Sequence, residues 1–268
     1  MTVRVGVCGA AGRMGKTIIE LCREMDDIEV AAAIEYSGSS MIGIDAGEQA
    51  GVGKIGVAIT DDISKIADQV DVIIDFTLAT SFAANLQKCV SSGCKMVIGT
   101  TGLSVSDRDA IDSAATKIGI VFAPNMSIGV NLTFKLLEMA ASVMGDMADI
   151  EIIEAHHNQK KDAPSGTAIR MGEVVANTLG RDLKECAVYG REGISGVRDK
   201  KTIGFETIRA GDIVGDHTVM FAMAGERVEI THKAHSRKTF ASGAVTAAKW
   251  LAGKDKGLFD MQDVLNLK

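Results

Sequence analysis

The sequence predicts an α/β protein in two parts: a domain on a parallel sheet, then an α+β domain on a mixed sheet. Three observations carry that reading. Up to residue 127, β-branched runs alternate with helical patterns, as in a parallel sheet with crossover helices. A turn containing Gly9, Gly12 and Gly15 joins the first such run to the first helix. Beyond residue 200, three strand-like runs (202–209, 217–223 and 227–234) follow one another without a helix between them. Runs of that kind make antiparallel or mixed sheets. The length, 268 residues, suits one large or two modest domains.

The first run, residues 3–7, is a buried parallel strand by composition. Ile18, Leu21, Cys22 and Met25 then recur at helical spacing over residues 17–25. Strand, glycine turn and helix together are the context of a dinucleotide fingerprint, here with its first two glycines offset as Gly9-Ala10-Ala11-Gly12-Arg13-Met14. Gly9 allows the tight turn, Gly12 brings the backbone to a pyrophosphate, and Gly15 lets helix and strand pack. A second strand over 29–34 ends at Glu35, about 20 residues on, where an acidic side chain grips ribose hydroxyls.

Residues 37–56, rich in Gly and Ser, read as a long mobile loop. A strand follows over 67–76 with Val70, Val72, Ile73 and Ile74 as its core, then a helix over 81–92. The strand at 95–98 ends in Gly99-Thr100-Thr101, and the strand at 119–122, after a helix over 106–117, ends in Ala123-Pro124-Asn125-Met126. Ligands of open parallel sheets sit beyond such carboxyl ends, and these small residues admit a flat ring.

The second part opens with a helix over 131–144 and a strand over 149–155, read as alternating through Ile150, Ile152 and Ala155. The strand leads into Glu154-Ala155-His156-His157-Asn158-Gln159-Lys160-Lys161-Asp162-Ala163-Pro164-Ser165-Gly166-Thr167. Imidazoles exchange protons near neutral pH, ammonium groups supply fixed positive charge, and a helix start presents N–H groups to an anion. Pro164 fits the first turn of the helix read over 167–179. This loop suits proton chemistry on a small anion. A last helix covers 239–251, followed by a short tail at 258–267.

Composition narrows the field. The net charge is −6, which speaks against a general nucleic-acid binder and makes the basic loop a local island. The five cysteines form no C-x-x-C pair and read as free thiols of a reducing cytosol, so a cytoplasmic protein is expected. His156-His157 lacks evident further ligands, and no metal is expected. Neither a signal peptide nor a run long enough to span a bilayer is evident, so no membrane partner is expected.

With these motifs assembled, the chain resembles the 4-hydroxy-tetrahydrodipicolinate (dihydrodipicolinate) reductase family over nearly its whole length. The resemblance is carried by Val5-Gly-Val-Cys-Gly-Ala-Ala-Gly-Arg-Met-Gly, by Glu151-Ile-Ile-Glu-Ala-His-His with Lys160 and Asp162-Ala-Pro-Ser-Gly-Thr, and by Arg209-Ala-Gly-Asp-Ile-Val-Gly-Asp-His-Thr. It implies a Rossmann-type domain over 1–127, with 237–268 returning to it, and a substrate-binding, tetramerising domain over 128–236. It implies reduction of a cyclic unsaturated dicarboxylate to tetrahydrodipicolinate by NADH or NADPH, with loss of water, in lysine and diaminopimelate biosynthesis. It further implies His156 as the acid/base group, Lys160 as proton donor, His157 as a substrate ligand, and Gly166 and Thr167 as ligands of a substrate carboxylate. The family's nucleotide positions fall on Gly9, Ala10, Ala11, Gly12, Arg13, Met14, Glu35, Gly99, Thr100, Thr101, Ala123, Pro124, Asn125 and Met126.

One departure bears on the cofactor. Family members that use NADPH well often follow the acidic residue with arginine, whereas this chain has Tyr36. A phenol brings no charge to a 2′-phosphate, so NADH is expected to be preferred, with NADPH still admitted through Arg13 or Lys16. Two other readings stay open. A semialdehyde- or homoserine-type dehydrogenase would share the nucleotide fold, but the aldehyde chemistry needs an activated cysteine, and none of the five lies near a histidine in sequence. A nucleotide-sensing regulator would leave the histidine–lysine loop without a task.

Overall fold

The computed structural model describes residues 2–268. The chain forms two compact units, Met1–Ile128 with Arg237–Lys268, and Gly129–Ser236.

The first unit is a seven-stranded parallel sheet in the order β12-β6-β5-β4-β1-β2-β3. Its strands are β1 (Val3–Cys8), β2 (Ile28–Ile34), β3 (Ile59–Thr60), β4 (Val72–Asp75), β5 (Lys95–Ile98), β6 (Gly119–Phe122) and β12 (Gly257–Phe259). Its helices are α1 (Arg13–Arg23), α2 (Ala46–Ala50), α3 (Ala79–Ser92), α4 (Val105–Ala115), α8 (Lys238–Ala252) and α9 (Met261–Val264). Helices cover both faces, so the central strands are apolar without alternation. Val72 and Ile74 point into a core with Ile18 and Ile19 of α1 and Ala244 and Leu251 of α8. Ile73 points the other way, to Phe82 and Leu86 of α3 and Ile111 of α4.

The second unit is a mixed sheet in the order β11-β10-β7-β9-β8. It comprises β7 (Asp149–His156), β8 (Ala187–Tyr189), β9 (Ile203–Arg209), β10 (Gly215–Met223) and β11 (Glu226–Ala234). β7 runs parallel to β9 and antiparallel to β10. The helices α5 (Ile128–Met144), α6 (Gly166–Thr178) and α7 (Leu183–Cys186) accompany it. Leu137, Met171 and Val175 pack on Ile150, Ile152, Phe205, Val219 and Phe221.

The α/β class with one parallel and one mixed sheet is as expected from sequence. Four local expectations need correction. The strand expected over 67–76 is shorter, because Ile63–Lys65 and Ala67–Gln69 form single 3-10 turns first. The tail contains β12, paired in parallel with β6. Met25 lies past the end of α1 and is exposed. The glycine-rich stretch 37–56 is ordered around one carboxylate. Buried Asp45 accepts N–H bonds from Gly47 (2.9 Å), Glu48 (3.2 Å), Ile55 (3.1 Å) and Gly56 (2.7 Å), capping α2 and closing the loop on itself. The bonds to Gly47 and Glu48 are those of an ordinary helix N-cap, and the two later donors come from residues ten and eleven positions on.

Replacing Asp45 with alanine leaves four N–H groups without their acceptor. The expected loss is on the order of 2 kcal/mol, measured by urea unfolding, with new proteolytic cleavage confined to 37–56.

Candidate active site

Gly9 follows β1 at φ +71°, a left-handed conformation that favours glycine. Its N–H and that of Ala10 bond to Ile34 O at 2.9 and 3.2 Å, which ties the turn to β2. Gly12, the N-cap of α1, has no side chain to bond the first-turn amides. A Cβ there would stand 3.1 Å from Gly9 O, and one on Gly15 would overlap that oxygen and lie 2.7 Å from Ala10 Cα. The chain thus passes close to itself and opens an uncapped helix start, the form of an anion cradle.

A cavity of about 960 Å³ opens beside this turn. Of the residues expected at a nucleotide, Gly9, Gly12, Arg13, Met14, Glu35 and Tyr36 line it. Phe76, Thr77, Asn85, Lys65 and Lys88 line it too, and sequence reading did not single them out. Glu35 Oε1 accepts the Ala11 N–H at 2.9 Å, so the acidic residue braces the glycine turn as well as facing the cavity.

Gly99-Thr100-Thr101 and Ala123-Pro124-Asn125-Met126 follow β5 and β6, outside the cavity lining. Thr100 is buried and donates to Asp75 Oδ1 at 3.0 Å. The same carboxylate accepts from Thr77 N–H and Oγ1 (2.8 and 2.7 Å) and, through Oδ2, from Asn85 (2.9 Å). Asp75 therefore links the loop after β4 to the loop after β5. A Cβ on Gly99 would overlap the Phe76 ring, which gives that glycine a packing reason. Ala123 and Met126 are buried core residues, so their contribution to a ligand would be through backbone. Thr101 and Pro124 are exposed.

In the second unit the register of β7 decides the site. Ile150, Ile152, Glu154 and His156 point to the buried face, and Ala155 does not. The expected alternation through Ala155 slips by one residue, which sends the two chemical side chains inward instead. His156 Nδ1 lies 2.6 Å from Glu154 Oε2. Arg209, at the end of β9, grips Glu154 with both terminal nitrogens at 2.9 Å. Burial alone would raise the Glu154 carboxyl; the bonds from Arg209, His156 and Ser165 N–H outweigh it and hold it below its ordinary value. Burial pushes His156 below its ordinary value, with Glu154 opposing and Lys160 and Arg209 reinforcing.

The loop after β7 is pinned to the β9–β10 connection: His157 N–H bonds to Ile213 O (2.7 Å), and Asn158 N–H to Gly211 O (3.2 Å). Lys160 Nζ pairs with Asp162 at 3.0 Å and is mostly shielded, whereas Lys161 is exposed. Ser165 caps α6, its Oγ accepting the Ala168 N–H at 3.1 Å. Pro164 therefore precedes the cap instead of standing in the first turn. Gly166 opens α6, with nothing within 4 Å of the place a Cβ would take. Thr167 follows in that first turn.

Glu154, Arg209 and His217 were not anticipated. All three lie in segments that carry the family resemblance, and their strand periodicity was a further signal, which a register error hid for Glu154. His217, buried on β10, lies 2.9 Å from Ser165 Oγ and edge-on to His156, ring centres 5.1 Å apart. Among the described residues no cluster of His, Cys, Asp or Glu is arranged to hold a metal ion.

An open parallel sheet with a glycine-turn cradle, and a buried histidine–carboxylate pair beside a lysine, define an oxidoreductase that works with a pyridine nucleotide. Comparison with known proteins gives the family. Residues 3–126 match the amino-terminal and residues 129–265 the carboxy-terminal model of dihydrodipicolinate reductase. The 4-hydroxy-tetrahydrodipicolinate reductase of Methylococcus capsulatus is 60% identical over 268 residues, covering all of both chains. That of Alkalilimnicola ehrlichii is 59% identical over 267 residues, also covering both. A dipicolinate-bound dihydrodipicolinate reductase from Paenisporosarcina sp. TG-14 shares the fold at TM-score 0.77 and 22% identity, over 98% of this chain and 99% of that one. The chain belongs to the dihydrodipicolinate reductase family.

His217 makes the site sensitive to acid. Burial, with His156 beside it, pushes its imidazole down to about 3. The unfolded chain takes up this proton below about pH 6.5, while the folded chain refuses it until about 3. Stability contributed by neutral His217 is therefore complete above the unfolded value and falls with pH through that window. His217→Gln is expected to lose less unfolding free energy than the unaltered protein between about pH 7.5 and about pH 5. Equal losses in urea titrations would assign the acid sensitivity elsewhere.

Proposed function

We propose that this chain reduces 4-hydroxy-tetrahydrodipicolinate to tetrahydrodipicolinate, consuming one NAD(P)H and one proton and releasing NAD(P)+ and water, in lysine and diaminopimelate biosynthesis. The observation that carries the reading is the buried Glu154–His156 pair beside Lys160 and the open start of α6, in a chain matched end to end by curated reductases. In this reading the first unit carries the nucleotide, and the second binds the substrate and forms the tetramer interface.

The reduced nicotinamide supplies a hydride to a ring carbon of the conjugated imine left when the 4-hydroxyl departs. The chain's own residues handle charge and protons. The Lys160 ammonium would stabilise negative charge that develops on the substrate ring during its reduction and would donate a proton to it. His156 acts as the acid/base group. His157 binds the substrate, and Gly166 and Thr167 receive a carboxylate at the start of α6, where the backbone dipole favours an anion. The glycine turn, Gly9 to Met14, receives the pyrophosphate and Glu35 the ribose hydroxyls. The loops Gly99–Thr101 and Ala123–Met126 support the nicotinamide end.

NADH is the preferred donor in this reading. Tyr36 lies exposed at the cavity where a 2′-phosphate would need a cation. Lys88, also in the lining, is 3.9 Å from Asp62 and 3.4 Å from Asp61 O. The reading extends to a homotetramer, as the family resemblance implies, and to the cytoplasm, since the five free cysteines suit a reducing compartment. No described helix is long and apolar enough to cross a membrane.

The decisive assay generates the unstable cyclic substrate in place and follows loss of nicotinamide absorbance with product analysis. Lys160→Ala should lower kcat by roughly 100-fold or more while the nucleotide Kd stays unchanged; an unchanged kcat would remove Lys160 from the chemistry, and nucleotide binding without turnover in the unaltered protein would favour a sensor. Steady-state kinetics with both nucleotides should favour NADH. Tyr36→Arg should raise kcat/KM with NADPH by roughly tenfold. A protein that already prefers NADPH would overturn the cofactor reading.

A further inference from the structure

Glu154, 1% exposed, is the point on which four contacts from three residues converge. Oε1 accepts the Ser165 N–H at 3.0 Å and Arg209 Nη2 at 2.9 Å. Oε2 accepts Arg209 Nη1 at 2.9 Å and lies 2.6 Å from His156 Nδ1. A carboxylate offers about four lone-pair sites. Three are filled here by groups that only donate. The fourth contact is attractive only with a proton between oxygen and nitrogen. A bidentate guanidinium binds the ionised carboxylate, so that proton belongs to the nitrogen.

We infer that Glu154, clamped by Arg209, is a positioning residue that fixes His156 with its proton on Nδ1 and presents the Nε2 lone pair to the substrate. This deepens the assignment of His156 as acid/base group and rests on it. Gly215 keeps Nε2 accessible, since a Cβ there would stand 3.0 Å from that nitrogen. The clamp also reaches the ammonium. Arg209 Nη2 donates to Asp162 O at 2.6 Å, and the Asp162 carboxylate holds Lys160 at 3.0 Å. Through Ser165 N–H, Glu154 also fixes the cap of α6. One buried carboxylate therefore registers the base, the proton donor and the anion-facing helix start against one another. The charged and titratable groups around the His156 ring are Glu154 on its own strand, His217 from β10, Arg209 from β9 and Lys160 from the loop, with Asp162 reaching it only through Lys160 and Arg209.

The test is Glu154→Gln in the full-length protein, beside the unaltered protein labelled with 15N-histidine. The unaltered protein at about pH 7.5 should show neutral His156 protonated at Nδ1, assigned by loss of its signals in His156→Gln. Glu154→Gln, whose amide can donate to Nδ1, should lose that tautomer. Its kcat should fall by roughly 10- to 100-fold, as for other partners that orient a histidine, with nucleotide Kd unchanged. The limb of the pH–rate profile due to His156 should move to lower pH, because the anion favouring the protonated ring is gone. His156 protonated at Nε2 in the unaltered protein, or Glu154→Gln with unchanged kcat and unchanged limb, overturns the inference. If Glu154→Gln fails to fold, the spectrum of the unaltered protein still decides the tautomer. If the unaltered protein fails to reduce the substrate, the proposed function falls while the spectrum still reports on Glu154.

Discussion

The second unit depends on burying a carboxylate and satisfying it completely. An ionised carboxyl taken out of water costs several kcal/mol unless it is paired and hydrogen-bonded. Glu154 meets that cost with a guanidinium, an imidazole and a backbone amide. Each partner comes from a different segment: β9, the end of β7 and the cap of α6. The arrangement exists only once the mixed sheet has set β7 beside β9, where His156 pairs in register with Arg209. The same sheet places His217 of β10 opposite Glu154. Tertiary structure makes this site, although its most telling residues lie within fourteen positions of one another in sequence.

The first unit uses a related device. Asp75 ends β4 fully buried and takes hydrogen bonds from Thr77, Asn85 and Thr100. Asp45 does the same for the segment between β2 and β3 with four backbone amides. Both are short carboxylates at chain turns, where an acceptor with several lone pairs can gather amides that no helix or sheet employs. They hold loops beside or next to the glycine-turn cavity without a cation.

Much of this was legible in the sequence. The glycine turn was readable because each glycine answers a separate steric demand: left-handed backbone at Gly9, a bare cap at Gly12 and close packing at Gly15. The parallel strands were readable from unbroken apolar runs, and the mixed sheet from strands without helices between them. Three things were hidden. β8 is only three residues long and β12 likewise, and pairing defines them more than composition does. The 37–56 segment looked mobile because its order comes from one aspartate bonding residues ten and more positions ahead. Glu154 was hidden by parity: Ala155 looked apolar enough to be the inward residue, and only the pairing to β9 and β10 shows that its neighbours are.

The connectivity of the first unit has a consequence for synthesis. The second unit is one continuous stretch, Gly129–Ser236, inserted between the two segments of the first. Helix α8 supplies a large part of the first unit's core, and β12 adds the strand outside β6. Both are translated after everything in the insert. A nascent chain released at residue 236 would hold every element of the inserted unit. It would hold only an unfinished parallel sheet, with the core surface that α8 covers left bare and β6 left as an open edge.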